Sequence, residues 1–252
     1  MTAGANETMA AKNKKRKLCV YCRSPHNLTR DHSPPKSLFP PPRPKNLTTV
    51  LCCRECHQGF NENDEYFRNY LIFASPNKGH GAARQLQESG LRSLQDPNAG
   101  ELSHPFFGIG NQLWPYKPSM SMAWFSGTEA AADDDRIGAV IERIVVGLFW
   151  VENENYLPSD YEAKVTGRYD TAYVDWQVHQ LVNRLLNEEE PVNIGNGVFQ
   201  YWWMWDEQAP SAEAHQSDWL LRFYEGTTFR CRIAKPQGNL YPSPQWASIW
   251  PG

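Results

Sequence analysis

No run in this chain approaches the roughly 18 consecutive apolar residues of a membrane span, so none is expected. The first residues, MTAGANETMAAKNKKRK, lack the apolar core of a secretory signal. Cysteine is scarce outside one stretch: five of the six lie between Cys19 and Cys56, and Cys231 stands alone. That crowding excludes a disulfide framework spread through the fold. It points to metal-bound thiolates in a reducing, cytoplasmic setting, with Cys231 a small buried residue. Acid is missing from the same region. Between Ala11 and Arg54 a single acid, Asp31, stands against eleven Lys or Arg, a balance of +10 that leaves −13 on the rest of a chain whose net charge is −3. A basic block of this kind suits a polyanionic partner, and the acidic remainder argues against nucleic acid wrapping the whole molecule. No internal repeat is found. What remains, 40% hydrophobic and 21% charged over 252 residues, is a globular composition of one large or two modest domains.

Read in order, residues 1–17 form a basic tail without periodicity. Leu18–Cys22 reads as a strand entering a tight knuckle, and Arg30–His32 as the return. Ser33–Pro44 contains six prolines, which forbid helix or inner strand and predict a stiff extended loop. A helix is expected from near Arg54 to Phe67 or Tyr70, with Phe60, Phe67 and Leu71 on its inner stripe. Residues 74–121 are broken by proline and glycine and read as a linking arm, with a short helix through Ala82–Gln95. From 122 to 252 a separate core is expected. It has an amphipathic helix after Asp133–Asp135 and a second helix capped by Asp175. A strand alternates Phe199, Tyr201, Trp203 and Trp205, and an antiparallel pair flanks Glu225-Gly226-Thr227. The fold class is therefore α+β, a metal-stapled module at residues 18–73 followed by an α+β domain with antiparallel strands.

The organising feature is a C-x2-C…C-x2-C frame, Cys19, Cys22, Cys53 and Cys56. Two thiolate knuckles supply the four soft ligands of one tetrahedral structural Zn²⁺. Cys52 adjoins Cys53, so a Cys52-x3-Cys56 pairing is the alternative. Inside the frame stand Asp31-His32 and, directly after the last cysteine, His57, with Asn61 one helical turn further on. A carboxylate, an imidazole and an amide oxygen make a borderline-hard site for Mg²⁺, Mn²⁺ or Ni²⁺, leaving His32 free to take a proton from water.

At these residues the sequence resembles the zinc-bearing branch of the HNH endonuclease family. The family's His-Asn-His signature falls on His32, Asn46 and His57. The resemblance covers roughly Leu18 to Leu71 and implies a ββα-metal fold of treble-clef type. It implies Asp31 and His57 as ligands of a catalytic divalent ion, with Asn61 a further candidate. His32 becomes the general base, and Asn46 orients the loop that presents it. The implied reaction is hydrolysis of DNA phosphodiester bonds, in a context of defence against foreign DNA. Phosphate contacts are expected from Arg23, Arg30, Lys36, Arg43, Lys45 and Arg54.

Two other readings follow from the same residues. Four zinc cysteines alone describe a non-catalytic finger that binds nucleic acid or protein. Alternatively the second domain senses a regulatory protein or small molecule and restrains the nuclease, so that deleting 123–252 raises activity. Double-strand cleavage by one module per chain favours a homodimer. The tryptophans of the second half are expected in its core rather than stacked on bases, since aromatics alternating along a strand usually face inward. His26, His80, His104, His179 and His215 are expected on the surface or in packing, not as ligands.

Overall fold

A computed structural model describes residues 17–95, 134–169, 190–205 and 216–236. The expected helix after Asp175, and His104, His179 and His215, lie outside the described residues.

Strand β1 (Leu28–His32) pairs antiparallel with β2 (Thr49–Cys53), Asp31 opposite Val50 and Leu28 opposite Cys53. Two helices follow directly, α1 (Arg54–Gly59) and α2 (Asn61–Phe73), separated only at Phe60. The single helix expected from Arg54 is thus two, and α2 reaches Phe73. Leu18–Cys22 is not a strand. Its backbone closes a tight turn in which the Arg23 amide donates to the Cys19 carbonyl, 2.9 Å, with Arg23 at φ 65°. Two sulfurs separated by two residues converge only on such a bend, and the Val20 amide ties it to the hairpin at the Leu51 carbonyl. The proline loop does more than travel. A short 3-10 turn at Lys36–Leu38 drives Leu38 and Phe39 fully into the interior, and the Tyr224 hydroxyl donates to the Leu38 carbonyl at 2.7 Å.

Helix α3 (Gly81–Gln95) packs on α2, and α4 (Asp134–Asn153) lies across α2 and the hairpin. Asp134 and Asp135 sit in α4's first turn, where the helix dipole favours negative charge. A five-stranded antiparallel sheet follows. It comprises β3 (Glu162–Tyr169), β4 (Val192–Ile194), β5 (Phe199–Trp205), β6 (Ser217–Phe223) and β7 (Thr227–Ala234), in the order β3-β7-β6-β5-β4. Mixed helix and antiparallel sheet is the class the patterning indicates. In β7 the buried Phe229, Cys231 and Ile233 alternate with half-exposed Arg230 and Arg232, as expected of a strand with one wet face. The β6–β7 turn is Tyr224–Gly226, one residue earlier than its composition suggests, because the Thr227 amide is already held by the Asn77 side chain, 2.8 Å.

Among the described residues the two halves share one core. Leu38, Phe39, Phe67 and Leu71 belong to the same buried cluster as Ile141, Leu148, Phe199, Phe223 and Phe229. Phe67 of α2 meets Phe223 edge-on at 5.2 Å and Phe229 at 6.0 Å. The apolar stripe of α2 has too little surface on a two-stranded hairpin to bury against, so it borrows the sheet. The described tryptophans of the sheet behave as core: Trp203 stacks on Trp219 at 5.7 Å, Trp202 and Trp219 are buried, and Trp205, 36% exposed, reaches the surface. Among the described residues no helix is long and apolar enough to cross a membrane.

Candidate metal centres and the adjoining cleft

The four sulfurs of Cys19, Cys22, Cys53 and Cys56 lie within 4.8 Å of one another. A zinc ion with bonds of about 2.3 Å to a tetrahedron of sulfurs sets them about 3.8 Å apart, so this cluster can hold a structural metal such as zinc. The local fold builds it directly. Cys53 ends β2 and caps α1, its Sγ accepting from the Cys56 amide at 3.4 Å, while Cys22 Sγ stands 3.5 Å from Cys53 Sγ. Burial pushes the Cys19 thiol up, but backbone amides of Cys22, Cys53 and Tyr21 outweigh it and bring the group down to about 7, ready to bind as thiolate. Burial and the neighbouring thiols push Cys56 up, as expected where several sulfurs crowd together without a cation. Cys52 falls outside this group of four: its Sγ donates to the Cys53 carbonyl at 3.2 Å.

Beside this cluster the hairpin and helices enclose a cleft of about 220 Å³. Asp31 and His32 reach it from the end of β1, His57 from α1, and Asn61 and Asp64 from α2, with Lys36 at its edge. Asp31 Oδ1 stands 3.8 Å from His57 Nε2. The other oxygen is taken from behind: Tyr21 donates its hydroxyl to Oδ2 at 3.0 Å, and Arg143 Nη1 lies 3.8 Å away. Asp31 is therefore 5% exposed yet keeps one oxygen toward the cleft. Burial lowers the His32 pKa, Lys36, Arg43 and His57 lower it further, and Asp31 offsets part of this, so the neutral imidazole dominates at neutral pH. Asp64 is pushed up to about 6 by burial, against the pull of Arg143 and with the charge of Asp31 adding to the rise.

Of the residues singled out from sequence, Asp31, His32, His57, Asn61 and Lys36 share this cleft. The others do not line it. Asn46 is exposed and donates to the Asn193 carbonyl at 3.3 Å, tying the segment after the proline loop to β4. Arg23 is occupied within the fold, donating to the Leu157 carbonyl and lying 4.3 Å over the Tyr156 ring. Arg30, Arg43, Lys45 and Arg54 are exposed outside the cleft lining. His26 is exposed, and His80 packs by Tyr224 and accepts from the Ala82 amide at 3.2 Å.

Sequence reasoning missed Asp64, Arg68, Tyr21 and Arg143. Asp64 and Arg68 were within reach, since they follow Asn61 at three and seven residues and so share its face of α2. Arg143 left a fainter trace, a charge set between Val140, Ile141, Ile144 and Val145 in a stripe otherwise wholly apolar. Compared with known proteins, the chain matches no family model, no curated protein and no solved structure.

Proposed function

We propose that this protein is a divalent-metal-dependent endonuclease of the HNH kind, hydrolysing DNA phosphodiester bonds, with Zn²⁺ as its structural metal. The observation that supports it most is the Asp31–His57 pair, 3.8 Å apart at the head of a cleft that also receives His32. That separation is below twice an ion–ligand distance of about 2.1 Å, so one Mg²⁺ or Mn²⁺ fits between the two donors, and Asn61 lines the same cleft. Such an ion would neutralise charge on the scissile phosphate and on the leaving oxygen. The chain's own residues account for the rest. Neutral His32 accepts a proton from the water whose oxygen attacks phosphorus. The bond to the 3′ oxygen breaks, that oxygen takes a proton from solvent, and a 5′-phosphate and a 3′-hydroxyl remain. Lys36 at the cleft edge meets the incoming phosphate. One such cleft per chain cuts one strand, so double-strand cleavage calls for a homodimer or two successive nicks. Defence against foreign DNA is a role that fits such an activity.

The test is supercoiled plasmid incubated with the zinc-loaded protein and Mg²⁺ or Mn²⁺. Nicking is expected with the metal and none in excess chelator, and His32→Ala lowers the rate by on the order of 10²–10⁴-fold with zinc retained. The pH profile has a defined sign. The working form of His32 is the unprotonated one, and its pKa lies below the ordinary histidine value of about 6.5. The rate therefore holds as pH falls to that value and drops only below it.

A second reading is a non-catalytic zinc finger that binds nucleic acid or another protein. In its favour, the four cysteines are the only group of three or more close metal-ligating side chains among the described residues. Plasmid left intact under every metal selects this reading.

A further inference from the structure

A buried cation stands behind the Asp31–His57 pair, and it comes from the far half of the chain. The Arg143 side chain is 6% exposed on the apolar face of α4. A guanidinium taken out of water is costly unless opposite charge compensates it, and here two carboxylates do. Its Nη2 donates to Asp64 Oδ1, and its Nη1, which has no hydrogen-bond partner, faces Asp31 Oδ2 at 3.8 Å. The plane lies 4.2 Å over the Phe60 ring, at the break between α1 and α2, between His57 and Asn61 in sequence. One side chain thus meets two residues that line the cleft, Asp31 and Asp64, and the helix break between His57 and Asn61.

The approach of α4 to β1 is fixed by its neighbours. Ser33, two residues beyond Asp31, donates its hydroxyl to the Ile144 carbonyl at 3.0 Å. Gly147 completes the same face of α4. A Cβ there would stand 2.6 Å from Ser33 Oγ and 2.9 Å from Ser33 Cβ, so only glycine lets the backbones come this close. Residues 143, 144 and 147 therefore meet residues 31 and 33 in one register.

We infer that Arg143 is a positioning residue for the ion centre: together with Tyr21 it claims Oδ2 of Asp31 and leaves Oδ1 turned to His57 and the cleft. The inference rests on the reading of that pair as the ion site. An apolar side chain of similar volume would pack this position without the desolvation cost, so the charge is explained by what it holds. The site is then a product of both halves of the chain. The N-terminal segment supplies the donors, and α4 supplies the group that aims one of them.

The experiment uses the full-length, zinc-loaded protein and Mn²⁺ as probe. Binding is read from the signal of free Mn²⁺ and activity from plasmid nicking. In Arg143→Met, zinc stoichiometry is expected to stay at the wild-type value while Mn²⁺ affinity falls about 10- to 100-fold, with nicking partly restored at high Mn²⁺. Arg143→Lys, which keeps the charge but cannot span both carboxylates, recovers part of the loss. Should Arg143→Met fail to fold, the double variant R143M/D64N removes one charge of each sign and is expected to show the same loss. Wild-type Mn²⁺ affinity in either folded variant, beside a wild type that binds Mn²⁺ and nicks, overturns the inference and leaves the nuclease reading standing. A wild type that takes up no Mn²⁺, behaving like Asp31→Asn, overturns both.

Discussion

Two adjacent cysteines on β2 have opposite fates, and the difference is set by the strand's two-residue period. Cys53 turns its sulfur toward Cys22 and caps α1, whereas Cys52 donates its Sγ to the Cys53 carbonyl and stays outside the four-sulfur group. Spacing favours the C-x2-C pairing through Cys53 but does not by itself exclude Cys52-x3-Cys56. Cys53→Ser is expected to lose zinc binding and with it the fold of the hairpin, since a structural zinc site contributes an apparent 10–16 kcal/mol, order of magnitude, in small modules. Cys52→Ala is expected to keep one zinc per chain and to cost only about 1–2 kcal/mol for the small cavity left behind. Metal analysis of the two purified variants, with urea unfolding of the second, checks both halves. Zinc loss in Cys52→Ala would return the assignment to the other pairing.

At the scale of elements, the contact that matters for the site is α4 against β1. Gly147→Ala forces a methyl group into Ser33, and either the helix retreats or the proline loop shifts. A destabilisation of about 1–3 kcal/mol is expected from urea unfolding. A loss of nicking larger than that stability change explains should accompany it, because Arg143 leaves Asp31 when α4 moves. Unchanged nicking in a folded Gly147→Ala protein would show that the cleft tolerates the retreat. What was legible in the sequence, and what was not, divides along the same line. The cysteine frame and the alternation of Phe229, Cys231 and Ile233 are local patterns, and each has its expected place in the structure, while Asp31 and His32 line the cleft together. Leu18–Cys22 reads as a strand yet forms a knuckle because an apolar pair beside cysteines looks the same in both. Leu38 and Phe39 were hidden by the six prolines around them, which specify a stiff loop but not which way its apolar tip faces. Arg143 and Ser33–Ile144 join residues more than a hundred positions apart, and no periodicity within one element encodes such a contact.

For the whole molecule, the shared core decides whether the metal-bearing segment can stand alone. Tyr66, Phe67, Leu71 and Ile72 are fully or almost fully buried; Phe67 is covered by Phe223 of β6 and Phe229 of β7, and α4 packs along α2. Each side chain of this size contributes about 1.5–3 kcal/mol when buried, so exposing even two of them removes a large part of the 5–15 kcal/mol that holds a typical domain folded. Asn77 adds a polar tie across the same boundary, donating to the Leu71 carbonyl at 2.7 Å and accepting from the Thr227 amide at 2.8 Å. Residues 1–95 expressed alone should therefore bind zinc through the four cysteines yet lack a cooperative unfolding transition. They should also fail to nick plasmid under conditions where the full chain does. A second domain that merely restrained the nuclease would give the opposite result, a folded and more active fragment. Thermal unfolding followed by circular dichroism, with nicking measured on the same samples, separates the two. A sharp transition together with raised activity would mean that α2 can bury its stripe without the sheet and that Asp31 keeps its aim without Arg143.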